Sequence, residues 1–231
     1  MVFMKQIADI PVITLSNVVF YPSTSLPLYF LDKELELMIE RSLKEQTPIA
    51  VALSKDGQML DGRPIPTEIC SVGMPIVLDR LEDGSLKVLL RGIGRAKLLE
   101  AKFNIPYQVY SAEIEFVNEV DSLVFDQAKF KFFKGMLYDW LEDAIKDVGE
   151  KEQFILSLNR PDTIIDYICT FLIKDIATKQ LLLEMEDKND VLNLLSLIFE
   201  KENPFQENQL ITDAIKDFNS MDNFDNERIA N

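Results

Sequence analysis

Gly57 and Gly62 are spaced like the glycines of a phosphate-cradling loop, but Arg63-Pro64 follows where such a loop needs Lys and Ser or Thr. Proline there also removes an N–H that would face the phosphate. Gly92-Ile93-Gly94 lacks the third glycine of a dinucleotide loop and sits between strand-like runs, so it reads as a hinge. The chain has no histidine, which removes Ser-His-Asp and Cys-His nucleophile activation and every histidine-containing metal site. Serines and lysines are numerous, so composition alone leaves a Ser-Lys pair open. Paired carboxylates recur, but on helix-like faces they are ordinary solvated charge. Cys70 and Cys169 form no CxxC and indicate neither a disulfide framework nor a zinc site. Buried thiols in a reducing compartment are expected instead. These residues predict no catalysis, no cofactor and no metal.

The 231 residues carry a net charge of −15 and are 47% apolar, enough to bury real cores. Up to Val117 there are 12 Lys and Arg against 15 Asp and Glu; beyond it the balance is 12 against 24. That step predicts a domain boundary near Val117. The acidic balance counts against nucleic acid, which needs a basic face. Arg91, Arg95, Lys97 and Lys102 are the one strip that would suit RNA. No apolar core follows a basic leader at the start, and the apolar run Ile164 to Ile173 is interrupted by Asp166 and too short to span a bilayer. A soluble cytoplasmic protein is expected.

The elements that would position any site start with a hairpin. Asp83-Gly84 separates Val72 to Leu81 from Leu86 to Leu90. A two-residue turn would oppose Arg80 and Lys87; a three-residue loop, Glu82-Asp83-Gly84, sets Asp79 against Lys87 instead. That register also pairs Leu78 with Val88 and Ile76 with Leu90, and puts Pro75 and Arg91 on the outer face. Ile10 to Leu15, Leu26 to Phe30, Ile49 to Leu53, Arg95 to Ala101 and Tyr107 to Val117 read as further strands, and Lys55 to Glu68 as a loop. Asp32 offers an N-cap for a helix whose apolar face holds Leu35, Met38, Ile39 and Leu43 before Pro48.

The second half reads as helices. One runs from about Ser122 to Asp147 on the stripe Phe125, Ala128, Phe132, Met136, Trp140 and Ala144, widened by Phe133, Leu137 and Leu141. Pro161 opens a second, and Thr178 to Met185 and Asp190 to Lys201 complete a small bundle. From Glu202 onward the chain is Asn-rich and acidic, with a weak amphipathic turn near Ile211 to Phe218. The expected domains are 1–117, 118–202 and a tail over 203–231.

The order Ile10-Pro11-Val12, Asn17-Val18-Val19, Tyr21-Pro22, Leu26-Pro27-Leu28 and the following helix resembles the start of the N-terminal domain of the Lon protease family. Val72-Gly73, Asp83-Gly84-Ser85-Leu86-Lys87-Val88, Gly92, Arg95 and Pro106-Tyr107 recur in the family's order, and Lys179-Gln180-Leu181-Leu182-Leu183-Glu184 matches its helical continuation. Ser23 and Leu31-Asp32-Lys33 depart from the family pattern. The resemblance implies an α+β fold: a PUA-like β pseudo-barrel of about six strands with one packed helix, followed by a small all-α bundle. It also implies a non-catalytic, freestanding polypeptide-binding module, since nothing resembles the family's catalytic serine segment. Expected partners are unfolded or apolar polypeptide segments, a second copy, or a full-length Lon protease. The expected contact residues are Val18, Val19, Phe20, Tyr21 and Pro22, on an irregular segment where apolar side chains stay exposed, with their neighbours Leu26 and Leu28; the alternative is that they pack under the barrel. Two other functions stay open: self-assembly or adaptor work through the helix bearing Phe132, Met136 and Trp140, and RNA binding by the barrel.

Overall fold

The computed structural model describes residues 6–60, 62–81, 85–102, 106–117 and 126–199. They form β1 (Gln6–Leu15), β2 (Ser25–Phe30), α1 (Lys33–Glu45), β3 (Ile49–Leu60), β4 (Arg63–Pro66), β5 (Ile69–Arg80), β6 (Leu86–Lys102) and β7 (Val109–Phe116). Five helices follow: α2 (Gln127–Ala144), α3 (Val148–Ser157), α4 (Pro161–Phe171), α5 (Ile176–Glu184) and α6 (Lys188–Phe199). The class is α+β, as the sequence predicts. The described residues fall into two compact units, one within Met1–Asp121 plus Ile176–Glu184, the other within Ser122–Asp175 plus Met185–Asn231.

In the first unit the strands run β1-β7-β6-β5-β3, and β3 returns parallel to β1 from Val12↔Ala50 to Leu15↔Leu53, which closes a ring of five. Side chains alternate along each strand, so one parity of every ring strand meets in a common cluster. Ile10, Ala50, Cys70, Val72, Ala96 and Ala112 belong to it. A five-stranded ring has little interior, which suits these small residues. Burial without a charged partner pushes the Cys70 thiol up to about 12. The other parity supplies Ile13, Val51, Val88 and Leu90, packed with Phe30, Met38 and Ile39. Thus α1 lies over the outside of the strands. Asp32 caps it by accepting from Glu34 N–H at 2.7 Å, and Gln46 ends it in the left-handed region at φ 52°.

The hairpin keeps Asp79 opposite Lys87, and Leu81 N–H donates to Ser85 C=O at 2.9 Å, as a three-residue loop requires. Residues 82–84 themselves lie outside the described set. Beyond Asp79 the expected register does not hold. A bulge at Leu78 pairs Val77 with Val88 and Ile76 with Leu89, so Pro75 turns inward rather than outward. A second shift pairs Gly73 with Gly92 and Val72 with Gly94, leaving Ile93 as the extra residue. β6 therefore runs straight through the glycines read as a hinge. Lys55 to Glu68 is not a loop either. β3 extends to Leu60, and β4 pairs back on it through Met59↔Pro64 and Leu60↔Arg63. Prolines are tolerated because, among the described strands, β4 pairs on one side only. Gly57 and Gly62 have φ of 64° and 76°, so their spacing is turn chemistry and no helix follows to hold a phosphate.

In the second unit Asp126 caps α2 by accepting from Ala128 and Lys129 N–H, and Pro161 occupies the first turn of α4. The long helix expected to reach Asp147 stops at Ala144. Asp147 instead accepts from Glu150 N–H at 2.8 Å and caps α3, which no strong periodicity announces. Phe133, Leu137, Trp140 and Leu141 form the buried stripe, whereas Phe132 is 60% exposed. Trp140 stacks on Phe171 with centroids 4.9 Å apart, so Phe132, Met136 and Trp140 do not form one outer seam. The tail over 203–231 lies outside the described residues. Among those described, no helix is long and apolar enough to cross a membrane.

Candidate functional site

The segment before β2 was expected to present apolar side chains. The structure places Val19, Phe20 and Tyr21 in the core, with Phe20 and Tyr21 each only 2% exposed, while Val18, Pro22, Leu26 and Leu28 are half-buried. The expectation of exposure therefore fails at Val19, Phe20 and Tyr21. Hydrogen bonds explain the inward turn. Ser71 Oγ donates to Phe20 C=O at 2.6 Å, and Thr24 N–H and Oγ1 both donate to Tyr21 C=O. Tyr21 Oη donates to Lys179 C=O on α5 at 2.7 Å. Gln180 Nε2 donates to Ile69 C=O at 2.9 Å, and Arg95 Nη1 to Leu183 C=O at 3.3 Å, so α5 is stitched to the barrel at three places.

Two glycines make room for this segment. A Cβ on Gly92 would stand 2.4 Å from Pro22 C=O, and one on Gly73 would stand 3.0 Å from the Phe20 ring. Glycine inside a strand is the sequence signal for such close approach, and it was present at both positions. Tyr21→Phe is expected to cost about 1 kcal/mol, because it removes one hydrogen bond and leaves the Lys179 carbonyl without that donor. Urea unfolding followed at a barrel residue measures it; an unchanged midpoint would show that the hydroxyl does not hold α5.

What the surface does present lies on and after β2. Leu26, Leu28 and Phe30 face the core, so period 2 turns Pro27 and Tyr29 outward. Tyr29 is 59% and Leu31 77% exposed. Tyr29 pairs with Lys87, whose ammonium stands 5.6 Å from the ring centroid, and Lys87 pairs onward with Asp79. Phe30, Leu86 and Arg80 form the next row, so Leu31 and the exposed Leu81 leave, at the same end, the two strands that flank β6. Neither Tyr29 nor Leu31 was among the expected contacts, although the alternation of β2 places Tyr29 outside.

A recess of about 280 Å³ opens between the last turns of α1 and strands β1 and β7, floored by Met38, Tyr107 and Val109. Its rim charges are already paired: Arg41 Nε with Glu45 at 2.9 Å, and Lys102 Nζ with Asp9 at 3.9 Å. The Glu45 carboxylate, and then Tyr107, hold the Arg41 guanidinium above its ordinary value. Ser42 Oγ donates to Thr47 C=O rather than to a base. Among the described residues, no three of His, Cys, Asp and Glu group to hold a metal. Three of the four residues of the basic strip have carboxylates near them: Arg95 meets Glu115 at 3.4 Å, Lys97 lies opposite Glu113 in the ladder, and Lys102 reaches Asp9. The geometry favours contacts with apolar and backbone groups over phosphate.

Comparison with known proteins matches residues 9–201 to the family described as the ATP-dependent protease La (LON) substrate-binding domain. Lon protease of Escherichia coli K12 is 26% identical over 202 residues, covering 84% of this chain and 25% of that protein. Lon protease of Fervidobacterium nodosum is 25% identical over 178 residues, 74% of this chain and 21% of that protein. The chain thus spans about a quarter of the length of these relatives. Among solved structures, a Lon N-terminal domain protein from Xanthomonas campestris superposes with a TM-score of 0.60 at 16% identity, covering 82% of this chain and 98% of that one. The N-terminal domain of Mycobacterium avium complex Lon protease gives 0.61 at 18% identity, covering 85% and 100%. At those identities the structures share the fold.

Proposed function

Because the chain belongs to the LON substrate-binding domain family, we propose that it binds exposed apolar segments of unfolded polypeptides and catalyses nothing itself. The family match over residues 9–201 carries this reading. The surface supports it, since Tyr29 and Leu31 offer exposed apolar area on and just after β2, and Leu26 and Leu28 on its other face are only half-buried. A few side chains on one strand give modest affinity, because ordering an unfolded segment offsets much of the buried area. Self-association, or attachment to a full-length Lon protease, would raise it through avidity. Cys70 and Cys169 are buried and form no disulfide, which suits a reducing compartment such as the cytoplasm.

The test is titration of the protein with a fluorescently labelled globular protein, either native or reduced and carboxymethylated so that it stays unfolded. Binding of the unfolded form alone, in the micromolar range, without fragments after incubation with ATP, is the expected result. Equal binding of both forms would refute selectivity for unfolded chains, and fragments would refute the non-catalytic role.

A further inference from the structure

Among the described strands, β2 pairs with β6 alone. Which of its backbone groups point away follows from one hydrogen bond. Gly92 N–H donates to Thr24 C=O at 2.8 Å, so the pair 24 and 92 is hydrogen-bonded, and along an antiparallel ladder every second pair repeats it. Leu26, Leu28 and Phe30 therefore bond to β6, while Ser25, Pro27 and Tyr29 direct their backbone groups to the other side. Pro27 confirms the parity, because a residue without an N–H fits only where the ladder does not need one. Among the described residues, no backbone hydrogen bond outside the β6 ladder reaches Ser25, Pro27 or Tyr29.

We propose that this outer edge of β2 is a strand-addition site, which takes an extended segment of an unfolded polypeptide by its main chain. The inference rests on the polypeptide-binding reading above and adds how the segment is held. Two N–H groups, of Ser25 and Tyr29, and three C=O groups, of Ser25, Pro27 and Tyr29, stand at strand spacing, a pattern that another strand matches. Recognition by backbone groups is indifferent to sequence, as a receptor for unfolded chains requires. Selectivity comes from alternate side chains: those of the incoming strand on the inner face lie beside Leu26 and Leu28, so apolar residues two apart are preferred there. Pro27 also argues for a foreign chain over a second copy. A symmetric antiparallel pairing of two β2 edges about Pro27 would set two residues lacking N–H against each other, and a foreign strand meets only one. The same proline blunts the edge against unchecked pairing.

The probes are the unfolded protein used above and a labelled ten-residue peptide of alternating Val and Thr, each titrated by fluorescence anisotropy. N-methylation of one alternate set of peptide amides should abolish binding, while methylation of the other set should leave it intact, because only one peptide edge faces β2. Tyr29→Pro removes one outward N–H and leaves the β6 ladder whole; it should weaken both probes about fivefold, roughly one hydrogen bond. Tyr29→Ser keeps that N–H and should weaken them less. Pro27→Ala adds a third outward N–H and should tighten binding by a similar factor, which keeps the test decisive if Tyr29→Pro does not fold. Capture of the unfolded protein that ignores Pro27→Ala and both methylation patterns overturns strand addition and leaves polypeptide binding standing. No capture by the wild-type protein overturns both. A dimer that dissociates on Tyr29→Pro, seen by light scattering, overturns the foreign-chain occupant in favour of a second copy.

Discussion

Phe20→Asp is expected to unfold the barrel unit, at a cost of about 5 kcal/mol or more. Removing a buried Phe ring costs about 3–5 kcal/mol in lost transfer energy and cavity. A carboxylate placed there adds the desolvation of an unpaired charge. The surroundings offer no relief: Phe20 sits with Ile13, Phe30, Val51 and Val88, and its ring lies against Gly73. Burial raises the new carboxyl's pKa, so the variant is least unstable below about pH 4 and loses further stability as pH rises through the raised value. Tyrosine near-ultraviolet circular dichroism, recorded with Tyr138→Phe and Tyr167→Phe in the background, follows the barrel unit, which holds Tyr21, Tyr29, Tyr107 and Tyr110. Trp140, the single tryptophan, reports the helical unit. A variant that melts like the wild type but captures less unfolded protein would contradict the burial and return Phe20 to the surface.

Lys188→Met should destabilise the helical unit by about 3 kcal/mol at neutral pH. Lys188 Nζ stands 2.9 Å from Asp166 Oδ1, and the Asp166 side chain is 2% exposed. Removing the cation breaks a buried ion pair, which typically costs 3–5 kcal/mol, and the lower end applies because the Lys188 side chain is 26% exposed. The double variant Lys188→Met with Asp166→Leu should recover most of the loss, since two apolar groups need no partner. The wild-type pair also has a pH signature. Burial pulls the Lys188 ammonium down, but the adjacent Asp166 carboxylate outweighs it and holds the group above its ordinary 10.5. A raised folded-state pKa means the contribution is complete below about pH 10 and disappears as pH rises through the folded value. Urea midpoints read from Trp140 emission should fall in alkali for the wild type and not for the double variant. Equal alkaline slopes would show that the pair is not the cause.

Features set by a few neighbouring residues were legible in the chain. Asp32 and Pro161 mark helix starts because a cap needs only the next two or three N–H groups. Asp79 opposite Lys87 follows from loop length and like-charge avoidance. The family resemblance rests on the same kind of short ordered motif, and it carried the α+β architecture with it. The loop assigned to Lys55–Glu68 failed because prolines and glycines mark both loops and edge hairpins, and only the pairing of Met59 with Pro64 separates them. α3 was hidden because its cap, Asp147, also extends the periodicity of α2.

The orientation of the segment before β2 belongs to another class. Val18 to Pro22 is an apolar run without period, which reads the same whether it faces solvent or core. Its direction is decided by Ser71, 51 residues away from Phe20, and by Lys179, 158 residues from Tyr21. The same distant contact draws Ile176–Glu184 into the barrel unit, which no charge step near Val117 discloses. Bulges at Leu78 and Ile93 likewise depend on what β6 meets across the ladder. Composition, caps, turns and alternation, which are local, were determined by the sequence itself. Register beyond a bulge and the burial of Phe20 were decided by the tertiary structure, because each depends on partners brought close only when the ring closes.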